Sequence, residues 1–109
     1  MTAYLIAIVE VTDDAWVPGY AGVVHDIAAK HGGEYLSRSG AIDTIEGEDL
    51  DATLVAVIKF PDKTALKAFV DDPEYAPHSK ARQDGSVSRF YAIDDTDIAG
   101  AIPYLPKAS

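Results

Sequence analysis

The chain has 109 residues, 48% hydrophobic and 25% charged, the balance of one globular domain with no compositional sign of disorder. Its formal net charge of −9 repels phosphate backbones and anionic lipid, so neither nucleic acid nor a membrane surface is expected as a partner. It has no cysteine, which excludes disulfide frameworks, thiolate metal sites, iron–sulfur clusters and cysteine nucleophiles together.

Tyr4 to Val11 is a nearly continuous apolar run ended by Asp13 and Asp14, which reads as a buried strand. It contains Glu10 and lacks the basic start and small-residue cleavage pattern of a signal peptide, so cytoplasmic residence is the default expectation. No run approaches membrane-spanning length. From Trp16 the apolar positions Tyr20, Val23, Val24, Ile27 and Ala28 follow helical spacing, with Asp13 or Asp14 as cap and Pro18 in the tolerant first turn. Gly32 and Gly33 stop this helix.

Glu34 to Ser39 reads as a second strand, which Ala41 to Glu46 is expected to extend or to follow as a short ribbon. After the acidic turn Gly47 to Ala52, Thr53 to Phe60 is a third strand, with Leu54, Ala56 and Ile58 on one face and Val55 and Val57 on the other. A helix follows from Asp62 with Ala65, Leu66, Phe69 and Val70 as its apolar stripe. It pauses at Asp71 to Pro73, and a new helix, with Pro73 in its first turn, runs through Tyr75 to Arg82 and Gln83 before Gly85. Val87 to Asp94 is the fourth strand. Residues 95–109 form a tail too apolar to hang free, with Ile98, Ile102, Tyr104 and Leu105 expected to pack on the domain of residues 1–94 or on a partner.

The order is βαβ, an acidic connector, then βαβ again. Two split βαβ halves give an α+β, ferredoxin-like βαββαβ fold: a four-stranded antiparallel sheet with both main helices on one face. The first and third strands nevertheless carry apolar residues on both faces. Either Ile6 and Ile8 or Leu5, Ala7 and Val9 would be left bare, a patch that soluble monomers seldom expose. Pairing of two copies sheet to sheet is the simplest cover; the tail folding over the face in a monomer is the alternative.

The segments Ala3-Tyr4-Leu5-Ile6-Ala7, His31-Gly32-Gly33-Glu34-Tyr35-Leu36, Glu46-Gly47, Phe60-Pro61, Pro73-Glu74-Tyr75 and Arg82-Gln83 stand in an order and at a spacing that resemble the family known as domain of unknown function 1330, over roughly Thr2 to Asp94. The resemblance implies a dimeric α/β barrel, related in fold to small cofactor-free monooxygenases, isomerases and chlorite-dismutase-like proteins, without a settled reaction. The chain departs from the family pattern at Ala76-Pro77-His78-Ser79, where apolar residues are commoner.

In the expected fold Arg38 and Arg82 are candidates to hold a carboxylate or enolate through their planar donor forks. Their structural alternatives are a salt bridge from Arg38 to Glu46, and pairing of Arg82 with Asp71, Asp72 or a helix end. Tyr20 and Tyr75 combine an apolar body with one directed hydroxyl, suited to lining a pocket or to the core. His31 suits a helix C-terminus as a cap and is also a candidate base; His25 and His78 read as structural or exposed. No His-x-x-x-His or Glu-x-x-His pair occurs, so no metal is expected, while spacing alone does not decide on haem. Phosphate loops and a nucleophile elbow are absent.

The expectation is therefore a homodimer without a cofactor, binding a small organic anion in a pocket per subunit lined by Tyr20, Arg38, Glu46, Tyr75 and Arg82. If catalytic, it would carry out proton transfer or cofactor-free oxidation, with His31 or Glu46 as base and Arg38 as oxyanion partner. The alternative is a non-catalytic stress or interaction protein whose dimer surface is the functional element.

Overall fold

A computed structural model describes residues 1–101. Its strands are β1 (Ala3–Val11), β2 (Glu34–Ser39), β3 (Leu54–Phe60) and β4 (Ser86–Asp94), and its helices α1 (Val17–Lys30), α2 (Lys63–Val70) and α3 (Ala76–Asp84). The sheet order is β2-β3-β1-β4 with every pair antiparallel, the ferredoxin-like arrangement that the chain order predicts.

Local chemistry sets the helix starts. Asp13 Oδ1 accepts from the Ala15 amide at 3.0 Å, capping a 3₁₀ turn over Asp14–Trp16 that leads into α1, whose first turn holds Pro18. Asp62 Oδ1 does the same for α2, accepting from Ala65 N at 2.7 Å. The third helix begins later than expected. Asp72 closes the preceding turn, accepting from Glu74 N on its side chain and from the Tyr75 and Ala76 amides on its carbonyl. Pro73 therefore lies in the turn, and it is Pro77 that occupies the first turn of α3. Past α1 the chain reverses at Gly32 with φ of 80°, where any side chain would also meet Pro61.

The expected extension of β2 through Glu46 does not form. Ser39 Oγ accepts from Ala41 N and Gly40 O from Ile42 N, local bonds that turn the chain off the edge of β3 at Gly40. The loop then returns at Thr53, whose hydroxyl takes the Val11 amide and whose own amide bonds Val9 O.

Alternation along β1 separates two environments. Ala3, Leu5, Ala7 and Val9 are buried beneath the helices, with Ile58, Phe60, Leu66, Phe69, Val24 and Ile27 packed around them. Each of the larger side chains among them contributes about 1.5–3 kcal/mol by leaving water, the alanines less. Tyr4, Ile6 and Ile8 point the other way and are only half-buried, beside Val55 and Val57 of β3. Val87, Tyr91 and Ile93 of β4 extend this open face and are about half exposed, at 58%, 51% and 48%. After β4, Asp95 N donates to Thr2 O. The expected packing of Ile102, Tyr104 and Leu105 falls outside the described residues. No helix among the described residues is long and apolar enough to cross a membrane.

Candidate functional site

The helix side of the sheet is not filled evenly. One row across it, matched in register, reads Arg38, Ala56, Ala7, Phe90 from β2 to β4. The rows on either side carry Ile58 with Leu5 and Leu54 with Val9. Two alanines between larger neighbours leave a trough, and above it α1 presents Val17, Tyr20, Ala21 and His25. The result is a cavity of about 540 Å³, a volume typical of small-molecule sites. Trp16, Tyr35 and Thr53 stand among its walls.

Arg38 reaches this face because β2 contains a bulge. The register of β2 on β3 shifts between Tyr35 and Ser37, so that Tyr35 opposes Ile58 and Arg38 opposes Ala56. Strict alternation would send two residues three apart to opposite faces. With Leu36 as the extra residue, both point toward the helices, and the Arg38 guanidinium lies 4.6 Å from the centre of the Tyr35 ring.

Arg82 comes from the other end. It is the buried residue of α3, an otherwise polar helix, and only 5% of it is exposed. Its guanidinium stacks over Phe90 at 4.0 Å and donates to Ser79 Oγ at 3.3 Å, while its buried Nε has no partner. No carboxylate among the described residues lies within ion-pair distance of Arg82 or of Arg38. The ion pairs present all use Lys or His. The structural alternatives of Arg38 with Glu46 and Arg82 with Asp71 or Asp72 are therefore not realised. Burying a cation without a counter-charge costs the fold stability, and an anion seated against the guanidinium would offset that cost.

Between the arginines and the core runs an aromatic series. Phe60 stacks on Phe69 (5.5 Å), Phe69 on Tyr75 (4.5 Å), Tyr75 meets Tyr20 (6.1 Å) and Tyr20 meets Trp16 edge-on (5.2 Å). The Tyr20 and Tyr75 hydroxyls are 2.7 Å apart. Burial, with the Tyr75 phenol next to it, pushes the Tyr20 hydroxyl far above its ordinary range against the opposing pull of Arg82. Burial thus favours the neutral phenol at Tyr20, and in its pair with Tyr75 either hydroxyl can be the donor. Burial also raises Tyr35, with Arg38 pulling the other way. Trp16 is held by its indole N–H, which donates to Gly85 O at 3.1 Å; a Cβ at Gly85 would sit 2.3 Å from the indole ring.

The residues singled out in the sequence thus divide. Tyr20, Arg38 and Arg82 line one cavity. Tyr75 is fully buried behind Tyr20 and borders a second cavity of about 430 Å³, which Arg82 also reaches. His31 and Glu46 line neither. His31 ends α1, its Nε2 2.7 Å from Asp72 Oδ2, where Lys30 Nζ also binds at 2.7 Å; the ring serves a buried carboxylate away from the cavity. Glu46 stands exposed in the loop after β2. His25, read as structural or exposed, is exposed and lies on the cavity rim, stacked on Tyr35 at 5.3 Å. The spacing Val17, Ala21, His25, four residues apart along one helical stripe, was the signal for it. Among the described residues no group of three or more His, Asp or Glu side chains is placed to hold a metal ion.

A four-stranded ferredoxin-like domain with a ligand-sized hollow under its helices, two arginines lining that hollow and a second sheet face that the described residues leave open is the class that fold and site define. Residues 2–96 match the family described as domain of unknown function (DUF1330), and the chain belongs to it. Among solved structures it is similar to RPA0582 from Rhodopseudomonas palustris, a protein of unknown function, at 16% identity and a TM-score of 0.73, covering 88% of this chain and 83% of that one. It is also similar to SnoaB from Streptomyces nogalater, a cofactor-independent oxygenase, at 15% identity and a TM-score of 0.62, covering 88% and 94%. Rv0793 from Mycobacterium tuberculosis aligns at 14% identity and a TM-score of 0.53, covering 89% and 97%. At such identities the likeness is one of fold. A comparison with curated proteins returns no match.

Proposed function

We propose that the protein is a homodimer that binds a small organic anion in the cavity of each subunit, with Arg82 as charge partner and the neutral Tyr20 hydroxyl as donor. The observation that carries this reading is Arg82, a buried arginine that lines a mostly apolar hollow with no carboxylate of the described residues in ion-pair reach and with its Nε unpartnered. An anion supplies the missing charge and hydrogen bonds in one step. An interaction-only role would leave both the hollow and the uncompensated cation without use.

The chemistry that suits such a site is proton abstraction from, or oxidation by dioxygen of, a small carbonyl or phenolic compound, whose enolate or phenolate is the form that arginines stabilise. The cofactor-independent oxygenase SnoaB, built on the same fold, supports that class by analogy. Asp14 and His25 are the lining side chains able to take a proton.

Dimerisation is supported by the open sheet face. Ile6 lies between Val57 and Tyr91, and Ile8 beside Val55, while Lys59, Glu34, Glu10 and Arg89 stand toward its margins. An apolar centre with a charged rim is the pattern of a protein interface, and a second copy offers the same surface in self-complementary form.

Both halves are tested on one sample. Sedimentation equilibrium is expected to give a dimer; a single subunit at high concentration would remove the homodimer. A thermal-shift screen against organic acids is expected to find compounds that stabilise the parent but not Arg82→Met. Without ligand that variant should be equally stable or up to about 4 kcal/mol more stable, because it replaces an unpaired buried charge. If no acid stabilises the parent, or Arg82→Met responds as the parent does, the anion reading is wrong.

A further inference from the structure

The two arginines do not converge on one point. Arg38 starts the cross-sheet row and Phe90, which carries the Arg82 guanidinium on its ring, ends it; Ala56 and Ala7 lie between. Three strand spacings separate the ends, about 14 Å of backbone at about 4.8 Å per strand. The middle of that span is flat and apolar, because alanine is the smallest side chain that a strand can place there, and the neighbouring rows with Ile58, Leu5, Leu54 and Val9 border it as ridges. Both guanidiniums are held by stacking on aromatic rings; Arg82 donates to Ser79 Oγ and keeps an unpartnered Nε, and neither guanidinium has a carboxylate of the described residues in reach. The chain has 18 acidic residues against nine Lys and Arg, so two cavity arginines free of ion pairs are not explained by a shortage of acids.

We infer that the ligand is a two-headed anion, with one acidic group on Arg82, the other on Arg38, and an apolar body lying across Ala56 and Ala7. The inference rests on the anion-binding reading above and narrows it to a class: an elongated dicarboxylate, or an aromatic or aliphatic acid with a second acidic group at its far end. Charge placement makes the discrimination steep. A second carboxylate costs desolvation in an apolar trough and is favoured only if a donor meets it. A longer apolar tail, by contrast, gains from the trough with no partner at all.

The test is calorimetric titration of the full chain with acids matched in length: octanoate against suberate, with succinate as a diacid too short to bridge. Suberate is expected to bind at least about tenfold more tightly than octanoate, although octanoate is the more apolar, and succinate to lose that advantage. Arg38→Gln, at an exposed position where the fold tolerates the change, is expected to erase the difference between suberate and octanoate. If octanoate binds the parent as well as suberate does, or Arg38→Gln keeps the preference, the two-headed ligand is overturned while the single-anion reading stands. If none of the acids binds, both fall together.

Discussion

The helix-covered side of the sheet is built in two ways at its two ends. Toward α2, Leu5, Ile58, Phe60, Leu66 and Phe69 fill the space, and the one buried carboxylate there, Asp72, is met by Lys30, His31 and the Glu74 amide. Toward the first half of α1, the strands offer Ala7 and Ala56, a hollow remains, and Arg82, the one buried cation among the described residues, has no counter-charge among them. Stability needs the first kind of interior and gains nothing from the second. The contrast sets a packed end apart from a hollow one, where the proposed ligand site lies, and substitutions at each end can be set against one another.

The largest effect belongs to the filled end. Phe60 is fully buried, stacked on Phe69 and seated against Gly33. Phe60→Ala is expected to cost about 3–5 kcal/mol, a large share of the roughly 5–15 kcal/mol by which domains are stable, read as a lower urea midpoint. A loss below about 1 kcal/mol would mean that this end is not the packed core described.

A smaller effect, confined to acid, comes from Asp72. The hydrogen bond from Lys30, then that from His31 and the Glu74 amide, hold its carboxyl well below the usual carboxylate range. The native form therefore binds fewer protons than the unfolded form between the ordinary aspartate value, about 3.9, and its own depressed one. The stabilisation is complete above the ordinary value and is lost as pH falls toward the depressed one. Urea midpoints followed from about pH 6 into acid should decline less steeply for Asp72→Asn than for the parent in that window; parallel curves would show that the cluster contributes nothing.

Much of this division was legible in the residues, for identifiable reasons. Alternation in β1 and β3 announces two apolar faces, and the structure decides which set the helices cover: Ala3, Leu5, Ala7 and Val9 lie beneath them, leaving Ile6 and Ile8 half-buried on the other face. Tyr20, Arg38 and Arg82 were candidates by residue type, and they meet in one cavity. What sequence could not supply was register. The extra residue at Leu36 reverses the side to which Arg38 points, and only the pairing of β2 with β3 reveals it. His31 was ambiguous because its partner Asp72 is 41 positions away. The ribbon expected at Ala41 to Glu46 failed because side-chain and backbone bonds at Ser39 and Gly40 outcompete the ladder locally.

The smallest change in stability should accompany one of the largest in binding, at Ala7. Its neighbours in the row are Ala56 and Phe90, and the space above it is the hollow itself. Adding two methyl groups in a packed core forces strain of about 1–3 kcal/mol, but here they enter empty volume, and valine suits a strand better than alanine does. Ala7→Val is therefore expected to change stability by less than about 1 kcal/mol while lowering the affinity for any stabilising organic acid at least about tenfold, because the trough floor rises where the ligand body lies. Chemical denaturation and calorimetry on the same variant decide it. A destabilisation like that of Phe60→Ala would mean that the alanine row is packed core after all, and unchanged binding would place the ligand elsewhere in the molecule.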